Sequence, residues 1–249
     1  MKSKINFIVI SLFLIFGYSY SVFSQEEQSD YYQSIINDCN VKLQIVKNNQ
    51  YLYASRGIAR YYLRDYLKAI NDLDTALQVN EKQKEIFKKF NTDSSLIKDD
   101  FFHKGEVYLT KALSYFFLKK YDLAENNYKL ALSVNPEYYE AYFNLGILNL
   151  KLEKYNKSIE YFDSTLSRNP LYYSGYLNRG YCYLKSSKLE KALNDFKEAI
   201  KIDDNIASAY KYIGIVYLEL KDNLNACKNF ELAKNLGANV DEYIKENCK

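Results

Sequence analysis

Apolar positions recur in this chain with a period of 34 residues. When the sequence is divided into frames that begin at residues 50, 105, 139, 173 and 207, position 8 of each frame is very small: Gly57, Ala112, Gly146, Gly180 and Gly214. Position 24 is large and apolar in every frame: Leu73, Tyr128, Phe162, Phe196 and Phe230. Within a frame the apolar positions follow helical spacing rather than the alternation of strands. The period therefore predicts a repeated helical unit.

Each frame is predicted to form two antiparallel helices, called helix A and helix B here. Small residues at positions 8 and 20 allow the two helices to lie close together, and large residues fill the space between neighbouring repeats. Turn signals separate the frames at Asn135-Pro136 and Asn169-Pro170. Since one hairpin leaves an apolar face uncovered, the hairpins are expected to stack into a continuous solenoid.

The pattern resembles the tetratricopeptide repeat (TPR), with an aromatic residue at position 4 and small residues at positions 8, 20 and 27. The resemblance covers residues 50–240. It implies an all-α fold, a right-handed α–α superhelical solenoid of about five hairpins, at residues 50–83, 105–138, 139–172, 173–206 and 207–240. Residues 25–49 and 241–249 are expected to contribute capping helices at the two ends.

Two departures from the usual pattern, at positions 7 and 23, occur together in the same repeats. Where position 7 is arginine, at Arg56 and Arg179, position 23 is aspartate, at Asp72 and Asp195. We interpret each pair as a salt bridge between helices A and B of one hairpin. A pair of ligand-binding arginines is less favoured, because each arginine has a local partner.

The period is interrupted once, by 21 extra residues at 84–104. They are predicted to lengthen two helices in tandem, with helix B of the first repeat reaching about Phe90 and helix A of the second beginning near Ser95. The apolar residues of this projecting hairpin form a contact surface for a partner in one interpretation. In the other they pack on neighbouring hairpins, and the sequence leaves both open.

Residues 1–24 have the features of a secretory signal peptide. Lys2 and Lys4 precede an apolar run at residues 5–16, and cleavage is expected after Ser24. An uncleaved membrane anchor is the alternative, although the run is short for a span. We therefore expect an exported protein, periplasmic or secreted, without a stable membrane span once the leader is removed.

Export affects how the four cysteines are interpreted, since disulfides persist outside the cytoplasm. Cys39, Cys182, Cys227 and Cys248 do not have the spacing of a zinc site. Cys227 lies in helix B of the last repeat, and a tail helix that folds back would bring Cys248 beside it. A Cys227–Cys248 disulfide is the preferred pairing, and two unpaired thiols are the alternative.

Charge and motifs exclude several classes of function. Acidic and basic residues are nearly balanced, with 34 Lys and Arg against 31 Asp and Glu, which argues against a nucleic-acid partner. No phosphate loop, calcium loop or zinc motif is present, and His103 is the single histidine. The sequence therefore predicts a protein without enzymatic activity, cofactor or metal.

The resemblance also implies which residues bind a partner, because positions 2, 5, 6, 9, 12 and 13 of helix A line the concave face of TPR proteins. Aromatic, aliphatic and amide side chains at these positions suit an extended or helical peptide. Position 2 is not basic, so a clamp for a terminal carboxylate is not supported. The candidate groove residues are Tyr62, Phe116, Phe117, Phe143, Asn144, Ile147, Asn178, Tyr181, Lys185 and Tyr212.

The sequence thus favours a non-enzymatic, exported scaffold that binds a protein or peptide on its concave face. The alternative is a structural or assembly accessory of the cell envelope. Such an accessory would act through the projecting hairpin 84–104 or through the convex face.

Overall fold

The computed structural model describes residues 25–89 and 103–248, and these form helices and short connections without a strand. They belong to two compact units that divide between His103 and Lys104. We call residues 25–89 the N-terminal unit and residues 104–248 the C-terminal unit. The predicted leader at 1–24 and residues 90–102 of the insertion lie outside the described residues.

The N-terminal unit has three helices: α1 (Gln25–Ile45), α2 (Gln50–Tyr62) and α3 (Tyr66–Lys89). Helices α2 and α3 form the first hairpin, and α1 packs on α2. The side chain of Asn49 accepts hydrogen bonds from the backbone N–H groups of Tyr51 and Leu52, which caps the start of α2. Helix α1 is the expected N-terminal capping helix.

The C-terminal unit has four hairpins in the described residues, followed by a short helix. The hairpins are α4 (Lys104–Phe117) with α5 (Tyr121–Val134), α6 (Tyr139–Lys151) with α7 (Tyr155–Arg168), α8 (Tyr173–Lys185) with α9 (Leu189–Ile202), and α10 (Ala207–Glu219) with α11 (Asn223–Asn235). Each hairpin packs on the next, and α12 (Asp241–Asn247) packs on α11. This unit is therefore an α–α solenoid, as the 34-residue period predicts.

Close approach of the two helices explains the small residue at position 8. A Cβ atom built on Gly146 would lie 2.5 Å from Cε1 of Phe162, the position 24 residue of the same repeat. Phe162 is fully buried. The glycine therefore makes room for the aromatic ring that fills each hairpin, and the two positions are coupled by packing.

Both predicted salt bridges are confirmed. Arg56 donates from Nε and Nη2 to the two carboxylate oxygens of Asp72, at 2.8 and 2.7 Å. Arg179 makes the same two hydrogen bonds to Asp195, at 2.8 and 2.7 Å. Each pair joins helix A to helix B within one hairpin through a planar, two-pronged contact.

Each arginine also has a second partner 16 residues earlier in the chain. Nη1 of Arg179 donates to Asp163 of the preceding helix B at 2.6 Å. Nη1 of Arg56 donates to Asn40 of α1 at 2.7 Å. Helix α1 thus occupies the place of a helix B that precedes the first repeat, and buried Cys39 falls at its position 24.

The turn between helices A and B uses a left-handed residue in all five repeats, at position 15. The φ angles there lie between 55° and 62°, at Arg64, Lys119, Glu153, Ser187 and Lys221. The next residue donates its N–H to the carbonyl five residues back, for example Asp65 to Arg60 at 2.9 Å. This Schellman geometry is usually signalled by glycine, so the sequence pattern does not reveal it.

The insertion differs from the prediction at one of its two helices. Helix α3 continues to Lys89, close to the expected end at Phe90. The expectation that helix A of the second repeat begins near Ser95 is wrong, because His103 lies outside any helix and α4 begins at Lys104. Glu106 stands in the first turn of α4, where a carboxylate suits the helix dipole.

A disulfide joins Cys227 of α11 to Cys248, with the two Cα atoms 5.6 Å apart. It lies beside an apolar contact in which Tyr243 of α12 stacks on Phe230 at 5.0 Å between ring centroids. Val240 is buried in the same cluster. The disulfide and this cluster together hold α12 over the last hairpin. Cys39 and Cys182 are free thiols and buried.

Replacing both Cys227 and Cys248 with serine is expected to lower the stability of this end of the chain by about 3 kcal/mol, since the disulfide closes a loop of 21 residues. The amides of α12 should then exchange with solvent markedly faster, as measured by hydrogen–deuterium exchange. A reductant should reproduce the effect in the native protein and leave the double serine variant unchanged. Unaltered protection of α12 in the variant would contradict this role.

Candidate functional site

The first helices of the four C-terminal hairpins form one continuous layer. Helices α4, α6, α8 and α10 each contact the next in the series. Because equivalent positions recur every 34 residues, their side chains line up across this layer. We call this layer the groove, and the predicted groove residues other than Tyr62 belong to its four helices.

Aromatic rings of the groove pack against buried aromatic rings of the core. Phe143 contacts buried Phe162 at 5.7 Å and the edge of Tyr172 at 5.0 Å. Tyr212 stacks on buried Phe196 at 5.4 Å and contacts Tyr181 of the neighbouring helix at 5.2 Å. These half-buried rings are therefore held in place by contacts with the core and with neighbouring helices.

Two asparagines stand at equivalent places on α6 and α8. The Nδ2 group of Asn144 donates to the carbonyl oxygen of Glu140 at 2.7 Å, and that of Asn178 to the carbonyl oxygen of Ser174 at 2.8 Å. A side-chain amide has a second N–H and a carbonyl oxygen in addition. The bond to the helix orients each amide, so that the remaining groups suit the backbone of a bound peptide.

Phe116, Phe117 and Lys185 lie at the edge of the groove, near the ends of the first helices. Phe117 is 51% exposed and makes an edge contact with half-buried Phe116 at 5.8 Å. Lys151 and Lys185 are exposed in the last turns of α6 and α8, and Lys185 lies 5.5 Å from the ring of Tyr181. Ile147 packs in the cluster around Phe162. This edge is basic and aromatic.

The opposite edge carries carboxylates, which the sequence prediction did not include among the groove residues. Glu106 stands in the first turn of α4 and Glu140 at the equivalent place on α6. Burial raises the pKa of Glu106 to about 7, and its Oε1 atom is buried without a hydrogen-bond partner. Burial also raises the pKa of Glu140. The signal in the sequence was the repeated glutamate at position 2.

Glu106 is expected to make stability fall as pH rises. The folded protein retains a proton on this carboxyl between about pH 4.5 and 7, whereas the unfolded chain does not. Stability is therefore lost through that window and levels off above it. Urea denaturation at pH 4 and at pH 8 measures the free energy of unfolding of Glu106→Gln relative to that of the native protein. This difference should shift in favour of the variant by about 1–3 kcal/mol from pH 4 to pH 8. Equal differences at the two pH values would contradict this, and Glu160→Gln on exposed α7 surface is the control.

Tyr62 has a different setting from the other predicted groove residues. It belongs to the N-terminal unit, where its ring stacks on Tyr32 of α1 with 4.5 Å between centroids. Tyr31, Ile35 and Ile58 line the same narrow space between α1 and α2. Tyr62 thus contributes to the packing of α1, a helix that the repeat pattern alone does not place on this residue.

Residues 25–89 and 103–248 include no cluster of three or more His, Cys, Asp or Glu side chains arranged to hold a metal ion. Within the same ranges, none of the helices is both long enough and apolar enough to span a bilayer. The surface of the groove itself combines core-supported rings, the amides of Asn144 and Asn178, and edges of opposite charge.

Solved structures with the same architecture include proteins of low sequence identity. YrrB, described as a TPR protein with an unusual peptide-binding site, aligns with a TM-score of 0.63 at 16% identity, over 84% of this chain and 97% of its own. A crystal structure of MamA aligns at 0.61 and 19% identity, over 78% and 94%. MamA from Desulfovibrio magneticus RS-1 aligns at 0.57 and 15% identity, over 84% and 94%.

Family models add evidence from sequence. Two models described as tetratricopeptide repeat match residues 109–164 and 173–206. Comparison with curated protein sequences gave no match. Both matched segments fall in the C-terminal unit: residues 173–206 include the whole hairpin α8–α9, and residues 109–164 run from within α4 to within α7. Helical hairpins with a 34-residue period, both family matches and the architecture shared with YrrB and MamA identify tetratricopeptide repeats in this chain, at residues 109–164 and 173–206.

Proposed function

We propose that this protein is a non-enzymatic scaffold that binds an extended segment of a partner protein along the groove. Tetratricopeptide repeat proteins generally act as protein-interaction scaffolds rather than enzymes. The observation that carries the proposal is the continuous layer of α4, α6, α8 and α10, with core-supported rings beside the oriented amides of Asn144 and Asn178.

Physical chemistry favours a peptide as the occupant of this surface. Rigid aromatic side chains supply contact area at a small entropic cost and often dominate binding energy. The amides supply hydrogen bonds for a backbone that would otherwise lose its bonds to water. YrrB is itself described as having a peptide-binding site. That description concerns YrrB, and it supports the proposal for this chain through the shared architecture.

We further propose that the protein is exported and acts in the periplasm or outside the cell. The support is the signal-peptide pattern of residues 1–24 together with the Cys227–Cys248 disulfide, a bond that persists in oxidising compartments. Detection of a mature chain that begins at Gln25 by N-terminal sequencing of the native protein would support export. A chain that retains residues 1–24 in the cytoplasmic fraction would contradict it.

Replacing both Phe143 and Tyr181 with alanine is expected to weaken partner binding by about 10- to 100-fold, because two core-supported rings leave the groove. The test is a pull-down from the envelope fraction, followed by titration of the captured protein. The control replaces Leu123 and Leu130, which are exposed on α5, with alanine. Unchanged capture by the Phe143→Ala/Tyr181→Ala variant would reject the groove as the binding surface.

A second candidate function is a structural accessory of the cell envelope that assembles through the outer face of its second helices. The observation in its favour is an apolar stripe on α5, where Leu123, Leu130 and Val134 are 44%, 42% and 46% exposed. These residues are spaced to lie on one side of the helix. In the same pull-down this function predicts the reverse result, with binding lost in the Leu123→Ala/Leu130→Ala control.

A further inference from the structure

One edge of the C-terminal unit concentrates positive charge. It consists of the turns between helices A and B in three successive repeats, residues 117–123, 151–157 and 185–191, and we call it the basic edge. These residues include eight lysines and three carboxylates, whereas the whole chain has a net charge of +3. The charge of the chain is therefore unevenly distributed, although its total is near neutral.

Stacking of the hairpins brings the three turns together. Each hairpin packs on the next in the same orientation, so the turns lie side by side at intervals of about 10 Å, the usual distance between packed helices. Position 16 is lysine in all three repeats, at Lys120, Lys154 and Lys188, and each of these side chains is exposed. Like charges thus form a row along this side of the unit.

The fold does not neutralise this charge. Of the eight lysines, Lys157 alone forms an ion pair with another described side chain, that of Glu125 at 3.2 Å. The other seven have exposed side chains and meet solvent. A row of unpaired ammonium groups repels itself and attracts a polyanionic surface.

The lysines at position 16 do not stabilise the helices that they precede. Lys120, Lys154 and Lys188 are the N-cap residues of α5, α7 and α9, and none makes a capping hydrogen bond through its side chain. The same position of the last repeat is Asp222, whose carboxylate accepts a hydrogen bond from the N–H of Asn225 at 3.1 Å. A lysine cannot accept this bond, and its charge opposes the helix dipole. This cost to the fold favours a role for the lysines outside it.

Exposed apolar side chains stand in the same turns as the lysines. Phe117, Leu123 and Leu152 are 51%, 44% and 36% exposed. An acidic polypeptide would be matched by the lysines alone. A bilayer with anionic head groups matches both kinds of side chain, because lysines meet the head groups while apolar side chains enter the boundary with the acyl chains.

We infer that the basic edge binds the surface of a bilayer that contains anionic lipids. The contact is peripheral, with lysine ammonium groups against lipid phosphates and apolar side chains inserted between the head groups. It goes beyond the proposed function and does not depend on it, since the groove need not be occupied. Because salt screens attraction between exposed charges, the binding should weaken as salt is raised.

The experiment measures cosedimentation of the native protein with sucrose-loaded vesicles. One set contains phosphatidylglycerol and phosphatidylcholine in equal parts, and the other contains phosphatidylcholine alone. At low salt the anionic vesicles should bind about tenfold more tightly or better, and high salt should remove most of the difference. Lys120→Gln/Lys154→Gln/Lys188→Gln, purified with the same N-terminus, should bind the anionic vesicles about tenfold more weakly.

A charge-matched variant separates the basic edge from general attraction. Lys197→Gln/Lys228→Gln/Lys245→Gln removes three exposed lysines elsewhere on the C-terminal unit and should change the affinity by less than about twofold. Equal loss in the two triple variants would overturn the inference. Failure to bind the anionic vesicles, or equal affinity for the two sets, would also overturn it.

A soluble polyanion separates a lipid surface from an acidic polypeptide. Leu123→Ser/Leu152→Ser should weaken binding to the anionic vesicles by about threefold and leave the binding of fluorescent poly-L-glutamate unchanged. All the substituted side chains are exposed, so every variant should keep the native helix content in circular dichroism. Vesicle binding that is insensitive to the two leucines would overturn the inference in favour of an acidic polypeptide.

Discussion

Replacing Asp72 with alanine is expected to destabilise the N-terminal unit by about 3–5 kcal/mol. Asp72 is 1% exposed and accepts hydrogen bonds from Arg56 and from Nη1 of Arg60, the latter at 2.7 Å. Its hydrogen bond raises the pKa of Arg56, so that guanidinium stays charged. Without Asp72, two arginines remain partly buried beside each other without their shared carboxylate. Urea denaturation, combined with amide exchange in α2 and α3, measures the loss.

The control for Asp72 is the exposed ion pair of the same unit. Asp38 pairs with Lys42 on the surface of α1, where the two side chains are 58% and 40% exposed. Asp38→Ala should cost less than 1 kcal/mol, because solvent screens such pairs. Asp195→Ala in the C-terminal unit should resemble Asp72→Ala, although Arg179 retains Asp163 there. If Asp38→Ala and Asp72→Ala lower the free energy of unfolding by similar small amounts, the buried ion pairs do not stabilise the hairpins.

Replacing Phe162 with alanine is expected to cost about 3–5 kcal/mol, because the fully buried ring leaves a cavity in the third repeat. Gly146→Ala alone should also destabilise, since its Cβ would lie 2.5 Å from Cε1 of Phe162. In the Phe162→Ala background the same change should stabilise. The clash is then absent, and alanine favours a helix over glycine by about 1 kcal/mol.

This reversal of sign is the decisive part of the second prediction. A double-mutant cycle by urea denaturation gives the coupling energy between the two positions. Leu130→Ala on the exposed face of α5 is the control for loss of apolar surface without a buried cavity. If Gly146→Ala has the same effect in both backgrounds, positions 8 and 24 are not coupled by packing, and the steric explanation of the glycine fails.

Much of the fold could be predicted from the sequence, because a contact that recurs in every repeat leaves the same type of residue at the same position of each frame. The small residue at position 8 and the aromatic residue at position 24 recur in register, and each records the same contact. The pairing of Arg56 with Asp72 and of Arg179 with Asp195 could also be predicted. Arginine at position 7 is an exception to the usual pattern, and in both cases aspartate stands at position 23. These are local relations within one hairpin.

Other features depend on contacts that spacing does not record. The left-handed turns at Arg64 and Lys119 occur without glycine, the residue that usually marks such a turn, so the sequence gives no signal of them. The start of α4 at Lys104 could not be derived from composition, since apolar residues such as Leu96, Ile97, Phe101 and Phe102 come before it without a distinct stop signal. Glu106 was missed because a glutamate near a helix start usually faces solvent, and burial appears only when neighbouring repeats are assembled.

The groove was predicted in part, through the positions that face the concave side in similar repeats. Phe143, Tyr181 and Tyr212 lie there with support from buried rings, a feature that position alone does not reveal. Whether these residues bind a partner stays a prediction. The structure adds the edges of opposite charge, with Lys151 and Lys185 at one edge and Glu106 and Glu140 at the other.

The most direct test of the binding groove is site-specific photocrosslinking. Benzoylphenylalanine is incorporated at Tyr181 in the groove in one protein and at Leu130 on the outer face of α5 in another, and cells producing each protein are irradiated. The groove account predicts a discrete crosslinked partner at Tyr181 and none at Leu130, with the Tyr181 product suppressed by Phe143→Ala. A partner that crosslinks at Leu130 and not at Tyr181 would contradict it.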